Sequence, residues 1–401
     1  SIGTLGIKIN NKITRTNLTT LDIISLHREL TKIKKLGIDN VILEASSHGL
    51  EQGRLEGLIF KTAIFTNFSQ DHLDYHKNMK KYLEAKLILF SRLLKRKENI
   101  ISDNETKEFK KLKAISKKKN LNILSIGKNN ADIEIKSIIP KNNSQQLSFR
   151  YKKKNYIIEV PVIGLFQIKN LLMSLLAAKL SGLNLVKTLK NFKKIKTVSG
   201  RLELVKILPN KAKIFIDYAH TPNALETSLK ALQEHYSVKP DVVFGCGGER
   251  DKKKRSIMGR ISERNAEEIY VTDDNPRNEI PKLIRQMIIS GFKNKKNIHN
   301  IPLRAQAIKK AIINSKPNGV ILIAGKGHET TQIYKNDVLN FSDKKIINKI
   351  KINKLVRSEK NTNQIVNSKI LYEIIKKDNL NFEGVSIDSK QVKKNNLFIA
   401  I

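Results

Sequence analysis

Cysteine is nearly absent from this 401-residue chain. Cys246 stands alone, so no internal disulfide can form, and the usage fits a reducing compartment such as the cytoplasm. Tryptophan is missing and aromatic residues reach only 6%, which leaves little for a base-stacking surface. No run of 18 apolar residues occurs, so no membrane span is expected. There is no signal-peptide pattern, and the chain opens Ser1-Ile-Gly-Thr4 without an initiator Met, which reads as a cut start. Acidic residues are scarce: 37 Asp and Glu stand against 76 Lys and Arg, giving a net charge of +39. Such a charge suits nucleic acid or an anionic membrane when it is gathered on one face. Here the lysines are scattered through every segment, so they read as solvated faces of a Lys- and Asn-rich chain, and no nucleic-acid partner is expected.

What is present is enough apolar residue, 40%, for globular cores, and enough length for two or three domains. Short apolar runs alternate with helical patterns, the signature of parallel α/β architecture. Asn40–Glu44 reads as a buried strand, as do Lys61–Thr66 and Glu98–Asp103, and Lys77–Leu94 has helical spacing. Residues 104–156 are rich in Lys and Asn and read as peripheral strands and loops. Phe166–Leu180 is an apolar helix stopped by Ser181-Gly182. A boundary is expected near Thr197–Glu203, dividing domain 1–198 from domain 199–356. A second α/β series then offers strands at Lys213–Asp217, Asp241–Gly245, Glu268–Thr272 and Gly319–Ala324. Thr221 is placed to cap a helix that begins at Pro222. Each strand ends in a polar or Gly-rich turn, where open α/β sheets bind ligands. Ser358–Gln364 reads as a polar linker, and residues 357–401 form a third segment.

The motifs are dense. Leu43-Glu-Ala-Ser-Ser-His-Gly-Leu50, Thr66-Asn-Phe-Ser-Gln-Asp-His-Leu-Asp-Tyr-His76 and Tyr82-Leu-Glu-Ala-Lys86 put a carboxylate, an imidazole and a lysine at the ends of successive elements. That set suggests a metal and phosphate site. Asp217-Tyr-Ala-His-Thr-Pro222, Gly245-Cys-Gly-Gly-Glu-Arg-Asp251, Asp274-Asn-Pro-Arg277 and Ala324-Gly-Lys-Gly-His-Glu329 follow strands of the second series. A Gly-rich turn can present backbone amides to phosphate. With these motifs the chain, from about Ser1 to Leu355, resembles the Mur ligases, ATP-dependent enzymes that build the peptide of peptidoglycan. Within that family it is most similar to the branch that adds the third amino acid.

The resemblance implies a Mur-type central α/β ATPase domain, truncated at its N-terminus, followed by a Rossmann-like α/β domain. It implies a cytoplasmic ligase in which ATP phosphorylates a carboxylate of UDP-MurNAc-L-Ala-D-Glu and the amine of meso-diaminopimelate attacks the acyl phosphate. Charge accumulates in both steps, so Mg²⁺ and fixed cations would carry much of the catalysis. By resemblance Glu44 and His72 help hold Mg²⁺, and Lys86 is carbamylated, which requires a neutral amine in a shielded site. Thr19, Thr20, Ser47, Gln52 and Arg54 would contact the nucleotide sugar, although Leu18 stands where the family has Asn. His48 and His76 shape the site, and Asp217 and His220 are candidate ATP contacts. Arg250, Asp274, Asn275, Pro276, Arg277, Gly325 and Glu329 would bind diaminopimelate, with Arg277 gripping the distal carboxylate that lysine lacks.

Two further expectations concern the ends. The chain contains no G-x-x-G-K-[ST] phosphate loop, which in this family precedes the Ile-Gly-Thr-Leu-Gly strand; weak or no activity of the chain alone is therefore expected. Gly384-Val-Ser-Ile-Asp-Ser-Lys390 and Asn395-Asn-Leu-Phe-Ile-Ala-Ile401 resemble the opening of the ligase that acts next, which suggests a fusion. The alternatives are a lysine-adding or other Mur-type ligase, including folylpolyglutamate synthetase relatives, and a non-catalytic nucleotide-sugar-binding remnant.

Overall fold

The computed structural model describes residues 1–10, 12–350, 384–386 and 396–398. It divides into two units, Ser1–Ile352 and Asn353–Ile401. In the second, strands Gly384–Ser386 and Asn396–Phe398 pair in parallel. The Ile387-Asp-Ser389 turn that carries the likeness to a second ligase lies outside the described residues.

The first unit opens with a small antiparallel meander, β1 (Ile2–Gly3), β2 (Gly6–Ile9) and β3 (Lys12–Thr14). Helix α1 (Ile23–Lys35) follows, capped by the Asp22 carboxylate on Ser25 N and buried through Leu26 and Ile33. The expected strand at Asn40–Glu44 is not a buried strand. Only Leu43 bridges, to Ile2, and Ile42 is 78% exposed. Its backbone pairs with β1 through Ile2 N to Ile42 O and Glu44 N to Ile2 O, and with no second flanking strand among the described residues its apolar character leaves it at the surface.

Short helix α2 (Ser47–Glu51) leads to β4 (Phe60–Phe65), α3 (Leu73–His76) and α4 (Met79–Ile88). Helix α4 is capped by Asn78 and runs on through a π-turn at Leu89–Leu93. The helical expectation therefore holds to Leu93, while β5 (Leu94–Asp103) starts four residues earlier than Glu98. The segment read as peripheral strands and loops does hold strands, and they are regular elements of the sheet. After α5 (Phe109–Lys119) come β6 (Asn122–Gly127), β7 (Ile133–Pro140), β8 (Gln145–Tyr151) and β9 (Lys154–Val160). They extend one six-stranded sheet in the order β4-β5-β6-β7-β8-β9, parallel as far as β7 and antiparallel beyond. Alternate residues Leu147, Phe149 and Tyr151 point into the core while Gln146, Ser148 and Arg150 take the other face, so composition concealed a period-two pattern. Helix α6 (Leu165–Leu180) covers this sheet with Ile168, Leu172, Met173, Leu175 and Leu176, and stops at Ser181 as expected. Helix α7 (Leu185–Lys190) follows.

The second sheet is built from β10 (Glu203–Ile207), β11 (Lys213–Asp217), β12 (Asp241–Phe244), β13 (Ile269–Val271), β14 (Ile298–Asn300) and β15 (Val320–Ala324). The intervening helices are α8 (Pro222–Tyr236), α9 (Lys253–Asn265), α10 (Pro281–Ile289) and α11 (Arg304–Ile313). Thr221 caps α8 by accepting from Ala224 N, with Pro222 in the first turn. The order is β10-β11-β15-β12-β13-β14, and only β10 is antiparallel. Val242, Val243, Phe244, Leu322 and Ile323 are wholly buried because helices cover both faces. A hairpin, β16 (Thr331–Tyr334) and β17 (Asp337–Asn340), and α12 (Asp343–Lys349) complete the unit.

This topology fixes where chemistry can occur. The chain leaves β11 through α8 and enters β12, and the slot between them is filled by β15. The four parallel strands β11, β15, β12 and β13 thus direct the loops after Asp217, Ala324, Phe244 and Val271 to one edge, at a topological switch point.

Candidate active site

Glu44 lies just beyond the bridge to β1. Its Oε2 accepts from Thr4 N and Thr4 Oγ1, both at 2.8 Å, and Thr4 Oγ1 lies 3.1 Å from Thr19 Oγ1. The Glu44 Oε1 has no hydrogen-bond partner among the described residues. Thr20 is buried and turned inward: its hydroxyl donates to Glu44 O at 2.8 Å and accepts from Ser46 N at 2.9 Å. It fixes the loop instead of offering a hydroxyl to a ligand. Ser46 caps α2 through Gly49 N at 3.1 Å, whereas Ser47 Oγ pairs with His76 Nε2 at 2.9 Å. Arg54 donates to Thr20 O at 2.8 Å and to Gln52 Oε1, and Gln52 Nε2 donates to Tyr75 OH at 3.0 Å. Arg54, Gln52 and Tyr75 thereby form one polar chain, while Ser47 is buried on His76 and Thr19 sits beside Thr4.

His72 is in the left-handed region, φ 54°, where it begins α3; a non-glycine residue there carries local strain. The turn is stabilised by His72 N donating to Asp71 Oδ1 at 2.9 Å. The His72 ring is edge-on to His48 with centroids 4.9 Å apart, and Tyr75, His76 and Tyr82 pack around the pair. Burial lowers the pKa of His48, His72 and His76, and repulsion among these cations adds to it against the opposing pull of Asp71, Asp74 and Glu51. Burial would raise the Asp71 carboxyl, but His220 and His72 hold it well below the usual carboxylate range. Lys86 reaches up from α4 with Nζ 5.2 Å from the Tyr82 ring centroid. Burial pushes its ammonium pKa down, and Asp71 and Glu44 pull the other way. Glu44, Asp71, His72 and Lys86 therefore share one electrostatic neighbourhood.

The second sheet meets this cluster. His220 Nε2 lies 3.7 Å from Asp71 Oδ2, Gln70 Nε2 donates to Asp251 Oδ2 at 3.0 Å, and Arg250 reaches Asp74 at 3.7 Å. Asp217 does not face the opening. Its carboxylate accepts from Leu202 N, burial raises its pKa to about 6, and the side chain anchors the segment that joins the two sheets. Of the two expected ATP contacts, only His220 is exposed to a ligand, with Nδ1 on Tyr218 O at 2.8 Å.

Asp274, Asn275, Pro276 and Arg277 occupy the loop after β13. Asn275 Oδ1 accepts from Lys326 Nζ at 2.9 Å and from Ile333 N at 3.1 Å, and its Nδ2 donates to Glu329 Oε2 at 3.0 Å. Arg277 has φ 52° and is pinned on both sides by Ile333 O and Lys335 N. Its guanidinium donates to Gly248 O at 2.8 Å, so it rests against the Gly-rich turn after β12. Gly325, at φ 112°, is confined to glycine twice over, since a Cβ there would lie 2.7 Å from Asp274 Oδ2.

Three cations of this edge that are almost wholly buried went unnoticed in the sequence, Arg255, Arg304 and Lys326, and Lys254 and Arg285 beside them are nearly as buried. Arg255 forks onto Glu279 with two 2.8 Å bonds, Arg304 forks onto Asp343 likewise, and Lys326 holds Asn275 and Glu329. In a chain so rich in Lys and Arg no local signal separates a buried cation from a surface one. Only the Gly-Lys-Gly spacing at Gly325–Gly327 hinted at one of them.

The donor set suits a hard cation. Glu44 offers a free carboxylate oxygen and His72 an imidazole nitrogen, while Lys86 would contribute oxygen only as its carbamate. No group of three or more His, Cys, Asp or Glu is placed to hold a metal among the described residues. A Mg²⁺ ion there would keep water or phosphate oxygens in its shell, as Mg²⁺ commonly does. A cavity of about 700 Å³ lies elsewhere, between β7, β8 and α8, and none of the motif residues lines it.

Comparison with known proteins agrees with this layout. The Mur ligase middle domain matches residues 1–178, and the Mur ligase glutamate ligase domain matches residues 200–327. A UDP-N-acetylmuramoyl-L-alanyl-D-glutamate–2,6-diaminopimelate ligase of Rickettsia montanensis is 41% identical over 356 residues, 87% of this chain and 73% of the relative. The enzyme of that name from Buchnera aphidicola is 41% identical over 357 residues, 86% of this chain and 70% of the relative. A solved structure bearing the same name is 32% identical with a TM-score of 0.60, covering 86% of this chain and 71% of that one. A MurF ligase from Thermotoga maritima in complex with ADP, 19% identical with a TM-score of 0.54 over 66% of this chain and 58% of its own, shares the fold. No helix among the described residues is long and apolar enough to cross a membrane. With two family domains in series and relatives at this identity, the chain belongs to the Mur ligase family.

Proposed function

We propose that the protein joins meso-diaminopimelate to the D-glutamate carboxyl of UDP-MurNAc-L-Ala-D-Glu, with ATP consumed through an acyl phosphate, in the cytoplasm. The observation that carries this reading is the Asp274–Arg277 loop. It presents Asn275 and Arg277 beside Glu329 on the same edge as His220, in a chain about 40% identical to ligases named for diaminopimelate. A guanidinium resting on one carbonyl can exchange that contact for the two oxygens of a distal carboxylate. Lysine offers no such group and would leave the arginine unpaired, which disfavours it.

Thr19, Gln52 and Arg54 are suited to the nucleotide sugar, with Arg54 as its permanent cation, and Ser47 would support them from behind through His76. His220 is open toward a nucleotide, while Asp217 acts from behind by holding Leu202 and the inter-sheet segment in place. Glu44 and His72 would hold Mg²⁺, whose bound charge would offset that of transferring phosphoryl oxygens. Lys86, shielded and biased toward the free amine, is suited to capture CO₂ as a carbamate. Its charge would then change from positive to negative beside Glu44.

The test is phosphate release by the full-length protein with ATP, Mg²⁺ and UDP-MurNAc-L-Ala-D-Glu. The expected result is release dependent on diaminopimelate and not on lysine. Equal or preferred use of lysine would reject the substrate assignment, and binding of the nucleotide sugar without any turnover would favour a non-catalytic binding protein.

A further inference from the structure

We propose that Lys326 is a positioning residue that sets the orientation of Asn275 and Glu329, and through them the selectivity for the incoming amino acid. This inference rests on the diaminopimelate reading of that site. Lys326 is fully buried. An ammonium out of water costs several kcal/mol unless it is paired, and an apolar side chain of similar length would fill the slot without that cost. The ion must therefore be retained for what it holds. It has two partners, Asn275 Oδ1 at 2.9 Å and Glu329 Oε2 at 3.1 Å, and these partners bond each other at 3.0 Å. The three groups form a closed triangle.

The triangle decides geometry as well as charge. Asn275 Oδ1 faces two donors, Lys326 Nζ and Ile333 N. Flipping the amide would set its NH₂ against both, so its nitrogen is directed to Glu329. Glu329, with its side chain 30% exposed, is the member of the triangle that reaches the open edge. The backbone aims Lys326 inward: Gly325 and Gly327 on either side adopt φ 112° and 55°, and a Cβ on Gly327 would lie 2.8 Å from the Tyr218 Cβ. Arg277 follows Asn275 by two residues on the same pinned loop. A loosened Asn275 therefore displaces the guanidinium that would read the ligand carboxylate.

The experiment uses the full-length protein with K326M, E329Q and the double variant, scored by steady-state kinetics for each substrate. K326M is expected to raise KM for diaminopimelate about 10- to 100-fold, the span of a lost charge-assisted hydrogen bond. The KM values for ATP and the nucleotide sugar should stay within about 2-fold, and kcat within about 3-fold. Because Lys326 acts through Glu329, the double variant should lose no more than about 2-fold beyond E329Q. An unchanged KM for diaminopimelate, a common rise in all three KM values, or additive losses would overturn the proposal. If K326M does not fold, K326Q is read in the same way, and failure of both to fold makes Lys326 a core requirement and ends the positioning role. A wild-type enzyme that uses a different amino acid would reject the substrate reading alone, and the same variants would then be scored on that amino acid.

Discussion

Replacing Arg304 by Met should destabilise the second sheet by about 2–4 kcal/mol. Arg304 Nε and one terminal nitrogen fork onto the two oxygens of Asp343 at 2.8 Å, and the same nitrogen donates to Ala324 O at 2.9 Å. Both side chains are fully buried. Removing one partner of a buried pair typically costs about 3–5 kcal/mol, because the other charge is left uncompensated. Asp343 also opens α12, where the helix dipole returns about 0.3–1 kcal/mol to a carboxylate, and this lowers the expected loss to the figure given. At about 2–4 °C per kcal/mol for a domain of 150–250 residues, melting followed by circular dichroism should fall by roughly 4–16 °C. The double change R304M/D343L removes both charges and should recover most of the loss, since apolar replacements of buried pairs are often neutral or better. A loss under about 1 kcal/mol for R304M, or a double variant no better than the single, would refute the claim that the cost comes from an orphaned Asp343.

Three other outcomes follow from the site. Asp217 has its pKa raised by burial to about 6, so the folded state binds the proton more tightly than the unfolded one. Its contribution favours the fold at low pH and is lost as pH rises from about 4 to 6, by about 3 kcal/mol at most. D217N should flatten that slope in urea titrations, and an unchanged slope would remove Asp217 as its source. Lys86 should show a carbamate carbon by NMR in ¹³CO₂-equilibrated protein at alkaline pH, and K86R should not; identical spectra would dismiss the carbamate. R277A should lower kcat/KM for diaminopimelate by about 10- to 100-fold without a comparable change in KM for ATP, and a uniform loss for all substrates would indicate a folding role instead.

Much of the fold was legible locally. Thr221-Pro222 marked the start of α8 because a capping hydroxyl and a preset φ act within one turn. Val242-Val-Phe244 read as a strand because both faces are covered. Asn40–Glu44 misled because apolar content reports a wish to be buried and says nothing of which strands lie on either side. Residues 104–156 looked more irregular than they are, since Lys/Asn-rich composition concealed the alternation of β8, with Leu147, Phe149 and Tyr151 inward and Gln146, Ser148 and Arg150 outward. Within the site, Glu44, His72 and Lys86 stood out through their motifs, yet motif membership could not say which way a side chain turns. Thr20 and Asp217 turn inward and serve the chain itself.

The sequence by itself determined the family, the alternation of strands and helices, and the loops in which the polar motifs lie, because these depend on residue type and spacing. Only the tertiary structure decided that the loops after β11, β12, β13 and β15 share one edge, that His220 meets Asp71, and that Lys326, Arg304 and Arg255 are buried. The reason is physical. A lysine's identity is the same in water and in the core, and its role is set by the partners that the sheet order brings within hydrogen-bonding distance.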